Sequence, residues 1–226
     1  MKLAIFDVDG TLTQSDLADG ECFVQSLADE FGFVDVDDDW SVYPHCTDSG
    51  ILAAIFQERT GRLPTAAEVM QFQARFISRL RAVERKAPFQ PVPGARAMLD
   101  QLLSSLDWTV ALASGAWEAS ARLKLASAGL DSLPLPGAFA DDSPVRSEIM
   151  QAAVSRVMHT QRRTSFDALV YVGDGVWDAR ACRLLGWPFI GIAADSVRAA
   201  RLLNEGAKKV FPHYLDWQSF RNSLDS

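Results

Sequence analysis

The chain begins with a short apolar run that leads directly into two aspartates. Residues 3–6 are typical of a buried β-strand, and Asp7 and Asp9 follow before Gly10 permits a tight turn. Because side chains alternate along a strand, the two carboxylates are expected on one face, close together. Such a pair repels strongly unless a divalent cation lies between its members or one of them holds a proton. The arrangement favours phosphoryl chemistry, with one aspartate as nucleophile and the other as general acid/base. A plain acidic turn is the structural alternative, and the following residues do not continue the ligand pattern of a calcium loop.

Two further apolar runs end in polar residues. Residues 108–113 form a predicted strand that stops at Ser114 and Gly115, ahead of a helical pattern. A hydroxyl and exposed N–H groups at such a junction can hold a phosphate. Residues 168–172 form another predicted strand, which Asp174 and Asp178 follow. All three polar segments therefore lie at the carboxyl ends of predicted strands, where open α/β sheets bind ligands.

These three segments, in this order, resemble the first, second and fourth motifs of the haloacid dehalogenase-like hydrolases. The resemblance implies that Asp7 attacks phosphorus and that Asp9 protonates the leaving oxygen and then activates water. It assigns Thr11 to substrate binding, and it assigns Ser114 and the Gly115 N–H to a phosphoryl oxygen. Haloacid dehalogenases of this family lack the second aspartate, so Asp9 indicates phosphorus chemistry.

The same resemblance implies a bound Mg²⁺. Its ligands would be Asp7, Asp174 and the backbone carbonyl of Asp9, and the ion would offset the charge between carboxylate and phosphoryl oxygens. Asp178 is counted with these metal residues, and we expect it to orient either Arg146 or a metal-bound water.

The third motif of the family, usually a lysine, has no direct counterpart. No lysine occurs between Leu125 and Gly206, and Arg146 is the one cation just ahead of a helix predicted over residues 147–158. An arginine holds phosphate and carboxylate together through its planar fork and keeps its charge. We therefore predict that Arg146 takes the catalytic place of the lysine, with a solvated helix start as the alternative and Arg162 and Arg163 as fallbacks.

Composition excludes several classes of function. The chain has 226 residues, of which 48% are hydrophobic, enough for a sizeable core, and its net charge is −7. An acidic chain without a basic run is not expected to bind nucleic acid or a membrane surface. The three cysteines lack metal-ligand spacing and are expected to be free thiols. A strand at the start of the sequence leaves no room for a signal peptide, so we expect a cytoplasmic protein.

The pattern of elements predicts two domains. Residues 16–87 are helical in character, and Thr65 with Glu68 forms a capping-box signature for one of the helices. The remainder alternates strands with helices, which predicts a parallel sheet in a three-layer, Rossmann-like α/β core. We predict a catalytic core of residues 1–15 and 88–226 and a helical cap domain of residues 16–87. A cap inserted after the first motif resembles the phosphoglycolate phosphatase and β-phosphoglucomutase branch of the family, in which such a lid covers the site.

The expected function is Mg²⁺-dependent hydrolysis of a small phosphorylated metabolite, a phosphate monoester, through an aspartyl phosphate. A β-phosphoglucomutase-type phosphomutase is the main alternative. A phosphonatase, for which Lys86 is the available cap lysine, and a non-catalytic regulatory module are weaker ones. Oligomeric state is left open.

The segment before a predicted cap helix is the best source of substrate contacts. His45, Thr47 and Asp48 lie in it, although Thr47 or Asp48 can equally be a helix N-cap. Trp117 and Trp177 follow the second and fourth motifs, and each either lines the pocket or packs in the core.

Overall fold

The computed structural model describes residues 1–133 and 135–225. Its described part contains one parallel sheet of six strands in the order β3-β2-β1-β4-β5-β6. The strands are β1 (Lys2–Phe6), β2 (Trp108–Ala113), β3 (Gly137–Ala138), β4 (Leu169–Gly173), β5 (Phe189–Ile192) and β6 (Lys209–Phe211). The predicted α/β class and parallel sheet are therefore confirmed.

Helices cover both faces of the sheet and fill the segment between β1 and β2. In chain order they are α1 (Asp16–Phe31), α2 (Asp48–Thr60), α3 (Ala66–Lys86), α4 (Ala95–Leu103), α5 (Glu118–Ser127), α6 (Arg146–Thr160), α7 (Val176–Leu185), α8 (Ser196–Asn204) and α9 (Trp217–Leu224). A short 3₁₀ helix, Trp40–Val42, precedes α2. The last helix, α9, is not predicted from the sequence pattern.

Strand β1 lies at the centre of the sheet and divides two hydrophobic cores. Its residues Ala4 and Phe6 pack into one core with α4, α5 and α9. Leu3 and Ile5 point to the other core with α6, α7 and α8. This alternation follows from the two-residue period of a strand, and every one of these side chains is fully buried.

The register of β1 aligns three motif segments. Phe6 is paired with Leu112 of β2 on one side and with Val172 of β4 on the other. The residues that follow these strands therefore emerge side by side at one edge of the sheet, where the strand order changes direction around β1.

The segment from α1 to α3, which we call the helical insert (residues 16–87), has its own aromatic cluster. Phe23, Phe72 and Phe76 are buried in it, and Trp117 at the start of α5 packs against all three. The predicted capping box is present, since the Thr65 Oγ1 accepts from the Glu68 N–H at 3.3 Å and the Glu68 carboxylate accepts from the Thr65 N–H at 2.7 Å. No helix in the described residues is long and apolar enough to cross a membrane.

Candidate active site

Three carboxylates meet at the carboxyl edge of the sheet. Asp7 follows β1, Asp174 follows β4, and Asp178 lies in the first turn of α7. One oxygen from each lies within 4.8 Å of the others. A cavity of about 510 Å³ opens beside them, and both Asp7 and Asp174 line it. The sequence prediction that the first and fourth motifs come together is therefore matched by their placement.

Burial and mutual repulsion keep these carboxyls far from their ordinary acidity. Burial raises the pKa of Asp174 well above its usual value, and the charges of Asp7 and Asp178 raise it further. Burial likewise raises the pKa of Asp178 to about 7, although Arg146 opposes the rise. The pKa of Asp7 is raised by burial too, and Arg146 and the Ser114 hydroxyl oppose that shift. Three such groups cannot all ionise without positive charge among them.

The donor set fits a hard divalent cation. Carboxylate oxygens are preferred ligands of Mg²⁺, which is usually held by one or two carboxylates. Asp178 has little free capacity to bind a metal. Its Oδ1 accepts a hydrogen bond from Arg146 at 2.5 Å, and its Oδ2 accepts one from the Gly175 N–H at 3.1 Å. Asp174 accepts no hydrogen bond from the described residues. Asp174 therefore has both carboxylate oxygens free for a metal. Asp7 Oδ1 accepts from the Val8 N–H at 2.8 Å, and Asp7 Oδ2, which lies 3.5 Å from Arg146 Nη1, is the more available of its two oxygens.

Gly10 makes the approach of Asp174 feasible. Its φ is +67°, a left-handed conformation that favours glycine, and a Cβ there would lie 2.1 Å from Asp174 Oδ2. The Asp174 carboxylate thus packs directly against the glycine backbone of the first motif.

Arg146 lies in the site and not in solvent. It is 9% exposed, and its Nη1 lies 2.5 Å from Asp178 Oδ1 and 3.5 Å from Asp7 Oδ2. Its Nε and Nη2 donate to the Cys46 carbonyl at 3.3 and 3.2 Å. A Cβ on Gly115 would lie 2.4 Å from Arg146 Nη2, so the glycine of the second motif provides the space for the guanidinium. Arg146 is the first residue of α6, whereas the sequence pattern places the helix start one residue later.

Two hydroxyls complete this side of the site. Ser114 is 2% exposed and lines the cavity beside Asp7. Tyr171, which the sequence reasoning does not consider, donates to the Ala113 carbonyl at 2.7 Å and accepts from Arg146 Nη1 at 3.4 Å. The phenol oxygen therefore links Arg146 to the end of β2 and helps to hold the guanidinium in place. Its position within an apolar strand gives no sequence signal of this role.

The side chain of Asp9 does not join the three clustered carboxylates. Strand β1 ends at Phe6, so the strict alternation expected through Asp9 does not continue. Asp9 Oδ2 instead accepts from Lys124 Nζ at 2.6 Å, and its Oδ1 accepts from Ser15 Oγ at 2.5 Å. The side chain still lines the cavity, but both of its oxygens are engaged, so it is not placed as a metal ligand.

Lys124, which the sequence reasoning misses, is the partner of Asp9. It projects from α5, is 0% exposed, and also donates to Asp19 Oδ1 of the helical insert at 2.6 Å. Burial raises the pKa of Asp19 to about 6, against the opposing effect of Lys124. A signal was present in the sequence, because Lys124 falls on the face of α5 that also buries Ala121 and Leu125.

Of the remaining residues predicted to bind substrate, two line the cavity and two do not. Thr47 is the N-cap of α2, accepting from the Gly50 N–H at 3.0 Å, and Asp48 Oδ2 accepts from the Trp117 N–H at 2.8 Å. Both line the cavity. His45 is exposed and Thr11 fully buried, and neither lines the cavity, so the structure does not bring these two to the site.

The structure also places the remaining candidate residues. Trp177 lines the cavity, whereas Trp117 packs in the aromatic cluster of the insert. Lys86, Arg162 and Arg163 are exposed and do not line the cavity. The three cysteines are free, and Cys46 lines the cavity.

Residues 1–186 match the haloacid dehalogenase-like hydrolase family. The chain therefore belongs to this family, as the three motifs predict. No curated protein matches its sequence.

Solved structures with the same fold are distant in sequence. A hydrolase from Pseudomonas syringae is 19% identical over 100% of both chains, with a TM-score of 0.76. A protein from Bacteroides vulgatus, provisionally named a β-phosphoglucomutase, is 18% identical over 100% of this chain and 91% of its own, with a TM-score of 0.71. A predicted phosphoglycolate phosphatase from Haemophilus somnus is 15% identical over 98% of both chains, with a TM-score of 0.67. At these identities the likeness establishes the fold.

Proposed function

We propose that this protein is a Mg²⁺-dependent phosphatase that hydrolyses a small phosphate monoester through an aspartyl-phosphate intermediate. The observation that carries the proposal is the grouping of Asp7 with Asp174 and Asp178, next to Arg146 and beside a cavity. A nucleophilic carboxylate, a cation site and a fixed guanidinium are the parts that phosphoryl transfer requires. Phosphatase names among the structural neighbours agree with this reading.

In the first half of the reaction, an oxygen of Asp7 forms a bond to phosphorus while the bond to the leaving oxygen breaks. Asp9 gives its proton to that leaving oxygen and becomes a carboxylate. The Ser114 hydroxyl and the Arg146 guanidinium, which both line the cavity, stabilise charge on the phosphoryl oxygens. Asp178 and Tyr171 act by holding Arg146 in place.

In the second half, Asp9 removes a proton from water, and the water oxygen attacks phosphorus. Phosphate leaves, the Asp7 carboxylate is restored, and Asp9 is protonated again. A Mg²⁺ held by Asp7, Asp174 and the Asp9 backbone carbonyl would reduce the repulsion between the attacking carboxylate and the phosphoryl oxygens.

The helical insert acts as a cap in this proposal. The cavity has walls from both parts of the chain, because Phe23, Trp40 and Ile51 of the insert line it together with Ser114 and Trp177 of the core. An insert placed over the phosphoryl site excludes water other than the reacting molecule and contacts the leaving group.

The test is hydrolysis of a generic aryl phosphate by the purified protein, with Mg²⁺ and with a chelator. We expect Mg²⁺-dependent release of phosphate that Asp7→Asn abolishes, because an amide does not attack phosphorus. Phosphate release that persists in the chelator or in Asp7→Asn would reject the mechanism. A panel of phosphorylated metabolites, scored for released phosphate and for isomerised sugar phosphate, then separates a phosphatase from a mutase.

A further inference from the structure

A lysine without any exposed surface links the first motif to the helical insert. Transferring an ammonium from water into a protein interior is costly unless carboxylates compensate it. Lys124 Nζ has two at 2.6 Å, Asp9 of the first motif and Asp19 of α1. Their side chains are 18% and 16% exposed, so both ion pairs are largely shielded from solvent.

From this geometry we infer that Lys124 is a positioning residue, which fixes the Asp9 carboxyl where it serves as general acid/base and makes that position depend on the docked insert. The inference rests on the proposed phosphatase function. Lys124 does not line the cavity, so it acts on the reaction through Asp9 and not by touching substrate.

Both oxygens of Asp9 are held by defined donors. Lys124 Nζ donates to Oδ2, and Ser15 Oγ donates to Oδ1. Ser15 Oγ also lies 2.6 Å from Thr13 Oγ1. With both oxygens held, rotation of the carboxyl group breaks at least one hydrogen bond. A proton donor must lie within hydrogen-bond reach of the leaving oxygen, and a misplacement of about 1 Å costs on the order of a hundredfold in rate.

Lys124 joins the two parts of the chain. It belongs to α5 of the core, and the other donor of Asp9, Ser15, is the last core residue before α1. Asp19, the other partner of Lys124, is on α1 of the insert. If α1 moves away from α5, Lys124 loses the Asp19 carboxylate, and Asp9 remains as its only carboxylate partner among the described residues. Lys124, which holds Asp9, therefore has both of its carboxylate partners when α1 keeps its place near α5.

A purely structural ion pair is the competing explanation, and a leaving-group series separates the two. Aryl phosphates need little protonation of the leaving oxygen, whereas alkyl phosphates need much. Lys124→Met should therefore reduce kcat for alkyl phosphates at least about tenfold more than for aryl phosphates, within the range of roughly 10²–10⁴ that general acid/base catalysis contributes. Lys124→Arg should restore part of the alkyl phosphate activity. Equal losses on both substrate types would overturn the inference.

A double-mutant cycle tests whether Lys124 acts through Asp9. Asp9→Asn alone should show the same leaving-group dependence, and adding Lys124→Met should then cost little more. Multiplicative losses would contradict the proposal. Arg75→Met is the matched control, because Arg75 pairs with Glu30 between α3 and α1 without contacting Asp9. It should leave the leaving-group dependence unchanged.

Stability of the variant does not obscure the result. If Lys124→Met does not fold, Asp19→Asn combined with Lys124→Met removes the carboxylate that is left unpaired, and the same series is measured in that background. Wild-type protein without aryl phosphatase activity would reject the proposed function itself. Normal wild-type activity, with leaving-group dependence in Asp9→Asn but not in the Lys124 variants, would reject only this inference.

Discussion

Arg146→Ala should destabilise the fold as well as abolish catalysis. The substitution leaves Asp7 and Asp178 buried without their shared cation, and it removes the donors to the Cys46 carbonyl. Removing one partner of a buried ion pair typically costs about 3–5 kcal/mol. Water that enters through the cavity next to the arginine will recover part of this cost, so we expect a loss of about 3 kcal/mol near neutral pH.

The loss should depend on pH with a defined sign. The pKa of Asp178 is about 7 with Arg146 present, and it rises further without the guanidinium that lowers it. A carboxyl whose folded-state pKa is raised stabilises the fold below its unfolded pKa, and that stability is lost as pH rises through the folded pKa. The deficit of Arg146→Ala relative to wild type should therefore be larger at about pH 8 than at about pH 5.

Urea unfolding of wild type and variant at both pH values measures this directly. Arg156→Ala is the matched control, because Arg156 is on the same helix, is 46% exposed and pairs with Asp142 at the surface. Exposed pairs contribute at most about 1 kcal/mol, so this control should change little. A deficit below about 1 kcal/mol for Arg146→Ala at pH 8, or one that is equal at both pH values, would show that Arg146 does not compensate the buried Asp7 and Asp178 carboxyls.

Three further predictions concern the metal and the substrate. Gly10→Ala should weaken Mg²⁺ binding at least tenfold, because the new Cβ would displace the Asp174 carboxylate; a Mg²⁺ titration of activity measures this, and unchanged affinity would contradict it. Mg²⁺ should raise the melting temperature more at about pH 8 than at about pH 6, because the raised pKa values of Asp7 and Asp174 make protons compete with the metal at lower pH; a larger melting-temperature shift at the lower pH would contradict their assignment as ligands. Substrates with an anionic leaving group should have lower kcat/KM than neutral ones of the same size, since the two arginines of the cavity wall, Arg146 and Arg198, are already paired with carboxylates; a preference for phosphoglycolate over glycerol phosphate would refute this.

The placement of the motif residues follows from the sequence because strand physics determines it. Apolar runs predict β1, β2 and β4, and parallel neighbours bring their carboxyl ends to one edge. Asp7, Ser114 and Asp174 consequently lie together as expected, and Arg146 lies beside them at the start of α6. For the three strand-end residues, this result requires β1 to pair in parallel with both β2 and β4.

The positions of the residues that the sequence does not predict correctly depend on how the helices and loops pack against one another. Lys124 meets Asp19 because α1 docks near α5, and no local pattern encodes that contact. Asp9 turns towards Lys124 because β1 ends sooner than the alternation assumes. His45 lies outside the site for a similar reason. The segment before α2 is oriented by Thr47, which donates to the Pro144 carbonyl ahead of α6, and by Asp48, which accepts from the N–H of Trp117 ahead of α5.

Chemical detection of a phosphoryl group on Asp7 is the most direct test of covalent catalysis by this residue. Wild-type protein is incubated with Mg²⁺ and an aryl phosphate, quenched in acid and digested, and the N-terminal peptide is analysed by mass spectrometry. We expect one added phosphoryl group on the peptide that contains Asp7, at the aspartyl side chain, and none in Asp7→Asn. Rapid phosphate release with no phosphorylated peptide, together with retained activity in Asp7→Asn, would contradict covalent catalysis by Asp7.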